Sequence, residues 1–214
     1  MQRVYPNVEA AAALEHDAQL MLRVKDGDAV SFELLLDKYR SPVISYLYRM
    51  VQTQGVAEEL AQEVFFRVYR SRATYEPTAK FTTWLFRIAT HLALNSLRDH
   101  RGERRQESLD QEKGEGQRAI QIVDGRRNRE QELLAEARLG EVRQAVAELP
   151  EKQRAAVLMH KYQEMDYAQI GAVLGCSTSA VKSLLFRAYE TLRKRLRHLS
   201  EAAAPAAASE GRLS

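Results

Sequence analysis

The sequence predicts an all-α chain of two helical domains joined by a flexible linker, and three observations carry that expectation. Nearly every periodic segment repeats its apolar residues at three and four positions, and no convincing alternating stretch marks a strand. Between Asp99 and Glu130 charged, Gly, Ser and Gln residues dominate, and only Ile120-Gln-Ile-Val123 is notably apolar. Such a segment cannot offset the cost of ordering by burial. Beyond it, Leu149 to Arg197 reads as a helix-turn-helix that ends in a basic helix.

Composition narrows the class. A chain of 214 residues with 45% hydrophobic and 29% charged residues is long enough to bury real cores in one or two domains. The single cysteine, Cys176, excludes an internal disulfide and gives no paired zinc spacing, so neither a metal nor a cofactor is expected. No apolar run approaches the ~18 residues of a membrane span, and Met1-Gln-Arg-Val-Tyr-Pro leads into no signal-peptide core. A cytoplasmic protein without membrane insertion is expected. Net charge is only +3, but its distribution is uneven. Lys182, Arg187, Arg193, Lys194, Arg195 and Arg197 face one acid, Glu190, while Arg98, Arg101, Arg104 and Arg105 form a second cluster. Two separated basic segments fit two contacts with a polyanion, although a solvated helix end accounts for each cluster alone.

Residues 1–13 read as a loose start, and a helix is expected from about Leu14 to Lys25 before Asp26-Gly27-Asp28 breaks it. Phe32, Leu35, Leu36, Tyr39, Val43, Leu47 and Met50 recur at helical steps. Pro42 after Ser41 should kink or restart that helix. After Gly55, Leu60, Val64 and Val68 recur every four residues, with Ala61 and Phe65 beside them. Thr74-Tyr-Glu-Pro-Thr-Ala-Lys80 is a loop. Phe81, Trp84, Leu85, Ile88 and Leu92 are the buried stripe of a helix reaching about Arg98. The first domain is placed at 14–100 and the linker at 101–130.

Periodicity resumes at Leu133, Leu134, Ala137 and Val142 and continues through Val146 and Leu149. Pro150 starts a helix carrying Val157 and Leu158. Ile170, Val173 and Leu174 then precede Gly175, where a tight turn needs a left-handed residue. Ser177 or Thr178 can cap the next helix, in which Val181, Leu184, Leu185, Ala188 and Leu192 form one stripe. Lys182, Ser183, Phe186 and Arg187 point elsewhere. A short helix, a glycine turn and a helix with a polar outer face is the geometry that seats a helix in the DNA major groove. An ordinary helical hairpin with a glycine C-cap is the plainer reading. This second domain is placed at 131–199, and 200–214 reads as a disordered tail.

Enzyme motifs are absent: there is no phosphate loop, no nucleophile elbow and no His-Glu-x-x-His pair. An enzyme is not expected. Opposite the apolar stripe of the Phe81 helix, Arg87, His91, Asn95 and Arg98 fall in one row. Such a row can contact phosphates and base edges together, and Tyr75, Phe81 and Trp84 nearby supply aromatic faces for unstacked bases. Phe81 and Trp84 fit the core equally well. On the Gly55 helix Glu59, Gln62, Glu63, Phe66 and Arg67 face outward. An acidic patch around an exposed Phe66 fits a protein partner with a basic, partly apolar groove, or a solvated face.

Phe32-Glu-Leu-Leu-Leu-Asp-Lys-Tyr39, Ala57-Glu-Glu-Leu-Ala-Gln-Glu-Val-Phe65 and Phe81-Thr-Thr-Trp-Leu-Phe-Arg-Ile-Ala89 resemble region 2 of bacterial sigma factors. Leu149-Pro-Glu-Lys-Gln-Arg154 and Asp166 to Arg187 resemble region 4. With a direct linker and no folded region 3, the arrangement is similar to the extracytoplasmic-function (ECF, group IV) sigma factors. The resemblance covers roughly residues 14 to 199. It implies that Glu59, Gln62, Glu63 and Phe66 contact the β′ clamp helices of core RNA polymerase, with the β flap as a further contact of the chain. It implies that Tyr75, Lys80, Arg87, His91, Asn95 and Arg98 serve the −10 element, where a base is flipped. It also implies that Ser177, Thr178, Ser179, Lys182, Ser183, Phe186 and Arg187 serve the −35 element. The linker would thread near the polymerase active centre. Members of the group are often held inactive by an anti-sigma factor, which this sequence does not specify.

Three positions depart from the family pattern: Leu184 and His91 stand where arginine and asparagine are usual, and Ser179 replaces a frequent glycine. Two rival functions predict binding without polymerase: a helix-turn-helix regulator acting independently of the enzyme, and an RNA-binding or RNA-modifying protein. A regulator with an α/β receiver would need alternating strands before residue 98, where none is read.

Overall fold

The structure, a computed structural model, describes residues 16–107 and 129–201, all its regular elements there being helical. The expected loose N-terminus, most of the linker and most of the tail lie outside the described residues. Helix α1 is His16–Lys25, followed by α2, Ala29–Val51, whose first N–H groups are capped by Asp28. The Asp28 side chain accepts from Val30 N at 3.0 Å and from Ser31 N at 3.2 Å. The Ser31 hydroxyl also donates to it, and these hydrogen bonds hold its carboxyl below the usual range.

Helix α2 runs through Pro42 and does not restart there, which removes that half of the expectation. An interior proline costs roughly 3 kcal/mol. Burial of Leu35, Tyr39, Val43, Tyr46, Leu47 and Met50 on either side offsets that cost. Helix α3, Gln54–Arg70, lies against α2 and buries Ala57, Ala61, Val64, Phe65 and Val68. A 3-10 turn, Arg72–Thr74, leads to the loop before α4, Phe81–Glu107.

Helix α4 extends nine residues beyond the expected end at Arg98. Its extension, Asp99-His-Arg-Gly-Glu-Arg-Arg-Gln-Glu107, is rich in Arg, Glu and Gln, which favour helix. The helix thus covers the first seven residues of the stretch assigned to the linker. The buried Tyr46 hydroxyl lies 2.8 Å from Thr90 Oγ1, tying α2 to α4, and burial pushes the Tyr46 phenol far up so that it stays neutral.

Helices α5, Arg129–Ala147, and α6, Glu151–Tyr162, precede the helix-turn-helix. Its first helix, α7, is Tyr167–Leu174 and its second, α8, is Thr178–Arg195; α9, Arg197–Glu201, follows. The two groups of helices are packed together. Helix α7 lies against α4, α6 lies against α2, and the buried residues of both groups join in one apolar cluster. At this seam the buried Arg154 donates to the carbonyls of Met50 and Leu149, and the Arg49 guanidinium sits 4.4 Å from the Tyr162 ring centroid.

Candidate nucleic-acid interface

The C-terminal face is built by local signals. Asp166 and Gln169 form a capping box at the start of α7: Asp166 Oδ1 accepts from Gln169 N at 2.8 Å, and Gln169 Oε1 from Asp166 N at 2.9 Å. Gly175 closes α7 in the left-handed region at φ 65°, and Ser177, rather than Thr178, caps α8 by accepting from Ala180 N. The two helices meet at 97°, within the range of DNA-reading pairs. Gly171 was not singled out from the sequence. A Cβ there would lie 2.7 Å from the Cys176 carbonyl oxygen, so the turn can close only over a glycine. A glycine inside a helical pattern was the available signal.

On α8, Val181, Leu185 and Ala188 are buried, while Leu184 and Leu192 pack against the cluster partly buried. Leu184 thus belongs to the supporting stripe. Lys182, Ser183, Phe186 and Arg187 are exposed side by side around a shallow depression, and Phe186 is 67% exposed. Exposing a phenylalanine costs burial energy that the core would otherwise gain. A face that mixes a ring, two cations and a hydroxyl has the chemistry of base-edge and phosphate contact. Thr178 and Ser179 are exposed at the start of the helix, and Ser183 Oγ donates to the Ser179 carbonyl.

The N-terminal face is the row on α4. Arg87, His91, Asn95 and Arg98 are all exposed, and Arg98 donates to Asn95 Oδ1 at 3.1 Å. From first to last the row spans about 16 Å, the length of roughly five stacked nucleotides at 3.4 Å each. Lys80 is exposed just before it. Tyr75 requires a correction: the expectation gave it an open ring, but it is only 4% exposed. Its ring lies 4.9 Å from that of Trp84 and 6.5 Å from that of Phe81, which is itself buried. The apolar pocket under the loop takes the ring because burying it there recovers more energy than exposure would. Trp84 is half-buried.

A third face lies on α3. Glu59, Gln62 and Phe66 are exposed and Glu63 is half-buried beside them. Glu63 accepts from Arg67 Nε at 2.6 Å, and the Arg70 guanidinium lies 5.8 Å from the Phe66 ring centroid. Phe66, Arg67, Arg70, Trp84 and Ile88 line an open groove between α3 and α4. Among the described residues no group of His, Cys, Asp and Glu is arranged to hold a metal, and no single helix is long and apolar enough to cross a membrane.

These faces fall inside two matched segments. Residues 35–103 match the family described as Sigma-70 region 2, and residues 139–192 match Sigma-70, region 4. The chain is 33% identical over 189 residues to the RNA polymerase sigma-H factor of Pseudomonas aeruginosa, covering 86% of this chain and 96% of that protein. It is 32% identical over 180 residues to the ECF RNA polymerase sigma factor SigW of Bacillus subtilis, covering 83% and 95%. In fold it is similar to the sigma factor RpoE of Bartonella quintana, solved with the anti-sigma factor NepR. There the TM-score is 0.61 at 18% identity, covering 78% of this chain and 96% of that one. The chain belongs to the sigma-70 family of RNA polymerase sigma factors, in its extracytoplasmic-function group.

Proposed function

We propose that the chain directs core RNA polymerase to promoters through three divided surfaces. Residues 14–100 act as region 2, 131–199 as region 4, and the segment between them as the connection. Glu59, Gln62, Glu63 and Phe66 dock on the β′ clamp helices, matching an acidic and apolar patch to a basic groove. Lys80, Arg87, His91, Asn95 and Arg98 engage the −10 element and hold its separated strand. Tyr75 supports the loop from beneath. Ser177, Thr178, Ser179, Lys182, Ser183, Phe186 and Arg187 engage the −35 element, with Ser177 acting chiefly as the cap that aims the helix. Catalysis stays with the polymerase, in the cytoplasm.

The observation that carries this reading is the pairing of two exposed cationic faces, on α4 and α8, with a separate acidic-aromatic face on α3. A lone DNA-binding regulator has no use for the third. The packed arrangement adds a mechanical step. The two elements lie about 25 base pairs, or roughly 85 Å, apart at 3.4 Å per pair. A compact body of this chain length is only roughly 40 Å across. Engaging both elements therefore requires the two helix groups to part at the α4–α7 and α2–α6 seams. An extended segment of about 21 residues, the length of 108–128, reaches roughly 70 Å, enough to permit it.

Run-off transcription with core polymerase tests the reading. His91→Ala with Asn95→Ala is expected to lower open-complex formation at least tenfold while leaving capture of core polymerase within twofold. Normal opening by that double variant would remove the −10 assignment. Reversing Glu59 and Glu63 to Lys is expected to weaken core capture about tenfold, and unchanged affinity would remove the docking assignment.

A further inference from the structure

We infer that Lys25, on α1 and outside the matched region 2 segment, is a positioning residue for promoter opening, a role that rests on the −10 assignment of α4 and its preceding loop. The Lys25 Nζ donates to the Tyr75 carbonyl at 2.9 Å, joining points fifty residues apart in the chain. Tyr75 is where the chain leaves the 3-10 turn for the loop, with extended backbone at φ −63° and ψ 131°. Its ring is locked beneath the loop against Trp84 and Phe81. The Thr78 N–H donates to the Glu76 carbonyl at 2.8 Å, and Glu76, Thr78, Ala79 and Lys80 stand exposed beyond that anchor. The loop thus has a fixed base and an open tip.

Helix α1 is a firm support for that base. Leu20, Met21 and Val24 are buried in the core, and the buried Asp17 accepts from Tyr39 Oη at 2.5 Å and from Lys38 Nζ at 2.7 Å. A charge-assisted hydrogen bond from an ammonium to a carbonyl fixes where the backbone lies more firmly than a neutral one. Holding a flipped base needs its pocket already formed, because unstacking is costly and a mobile loop would add the cost of its own ordering. Lys25 lowers that ordering cost without touching DNA.

The test uses full-length protein in holoenzyme and a promoter fragment carrying 2-aminopurine at the flipped position of the −10 element. Lys25→Ala is expected to slow the fluorescence rise about fivefold, with core capture, −35 duplex binding and melting temperature unchanged. Lys25→Arg, which keeps a charged donor, is expected to restore most of the rate. The slope of log affinity against log salt should also stay at the wild-type value, because a lysine that bound phosphate directly would lower it by about one. A wild-type opening rate in Lys25→Ala overturns the inference, as does a salt slope reduced by one or an equal loss of −35 binding. The His91→Ala, Asn95→Ala variant run in parallel separates the two readings. If it opens promoters poorly while Lys25→Ala opens them normally, only the positioning role falls. If it too opens them normally, the −10 assignment falls with it.

Discussion

The row on α4 and the face on α8 both carry exposed cations and hydrogen-bonding groups, yet they are held in place by opposite means. The α4 row stands on a 27-residue helix, and distant parts of the chain brace it. Tyr46 on α2 meets Thr90, Lys25 on α1 meets the Tyr75 carbonyl, and Asp17 secures α1 to Tyr39 and Lys38. The α8 face is aimed by residues within a dozen positions of its start: the Asp166 and Gln169 capping box, Gly171, Gly175 and Ser177. In the proposed −10 role the α4 row must resist the load of strand separation, so bracing from the whole domain suits it. A reader that inserts into an intact groove needs only a fixed helix angle, which a short turn supplies.

The sharpest way to break this contrast is Gly171→Val. The Cys176 carbonyl lies where the new side chain would begin, and a backbone oxygen cannot swing aside as a side chain can. Overpacking of this kind costs about 3 kcal/mol. The expected outcome is loss of −35 duplex binding by more than tenfold, with core capture and opening on a −10 fork template retained. A melting temperature and −35 affinity equal to wild type would show that the turn is not set locally.

The corresponding cut in the other half is Asp17→Ala. It removes a buried acceptor from Tyr39 and leaves Lys38 without its pair; because Lys38 is half-exposed, the Coulomb part is screened and the hydrogen-bond part dominates. A cost of about 2 kcal/mol is expected, read as a lower urea midpoint. Asp17→Asn, which keeps an acceptor for Tyr39, should recover more than half of it. An unchanged midpoint would mean that α1 does not brace the N-terminal half.

The same contrast decides what the sequence made legible. Gly175 and Ser177 could be read because each acts within a few positions of itself: the glycine through its backbone freedom, the serine through its own side-chain cap. The exposed faces of α3, α4 and α8 could be read because helical spacing alone separates them from the buried stripe. Tyr75 was misplaced because an aromatic residue in a loop fits a stacking face and a core plug equally well. Only the positions of Trp84 and Phe81 settle which it is. Lys25, Asp17 and Arg154 act across 50, 22 and 104 positions, and no local pattern encodes such partners. At Pro42 the balance runs the other way: its local cost is real, but burial along the rest of α2 outweighs it, so the helix does not restart.

The smallest expected effect tests where the two halves meet. Arg49 over Tyr162 crosses the α2–α6 seam, and neither residue belongs to the surfaces proposed to face DNA. A cation–π contact at such a site contributes about 0.5–1 kcal/mol, so Arg49→Ala with Tyr162→Ala should shift the balance between packed and parted forms roughly threefold. Dyes at the exposed positions Asp37 and Thr191, in a Cys176→Ser background, would report it as lower energy transfer. Without polymerase, this variant should bind a DNA fragment carrying both elements more tightly than wild type does. Its affinity for either element alone should not change, because both faces are already exposed in the packed form and only their joint use is barred. A gain on single-element DNA would show instead that the seam hides a reading face, and unchanged energy transfer would show that Arg154 and the shared apolar cluster hold the halves without help from this pair.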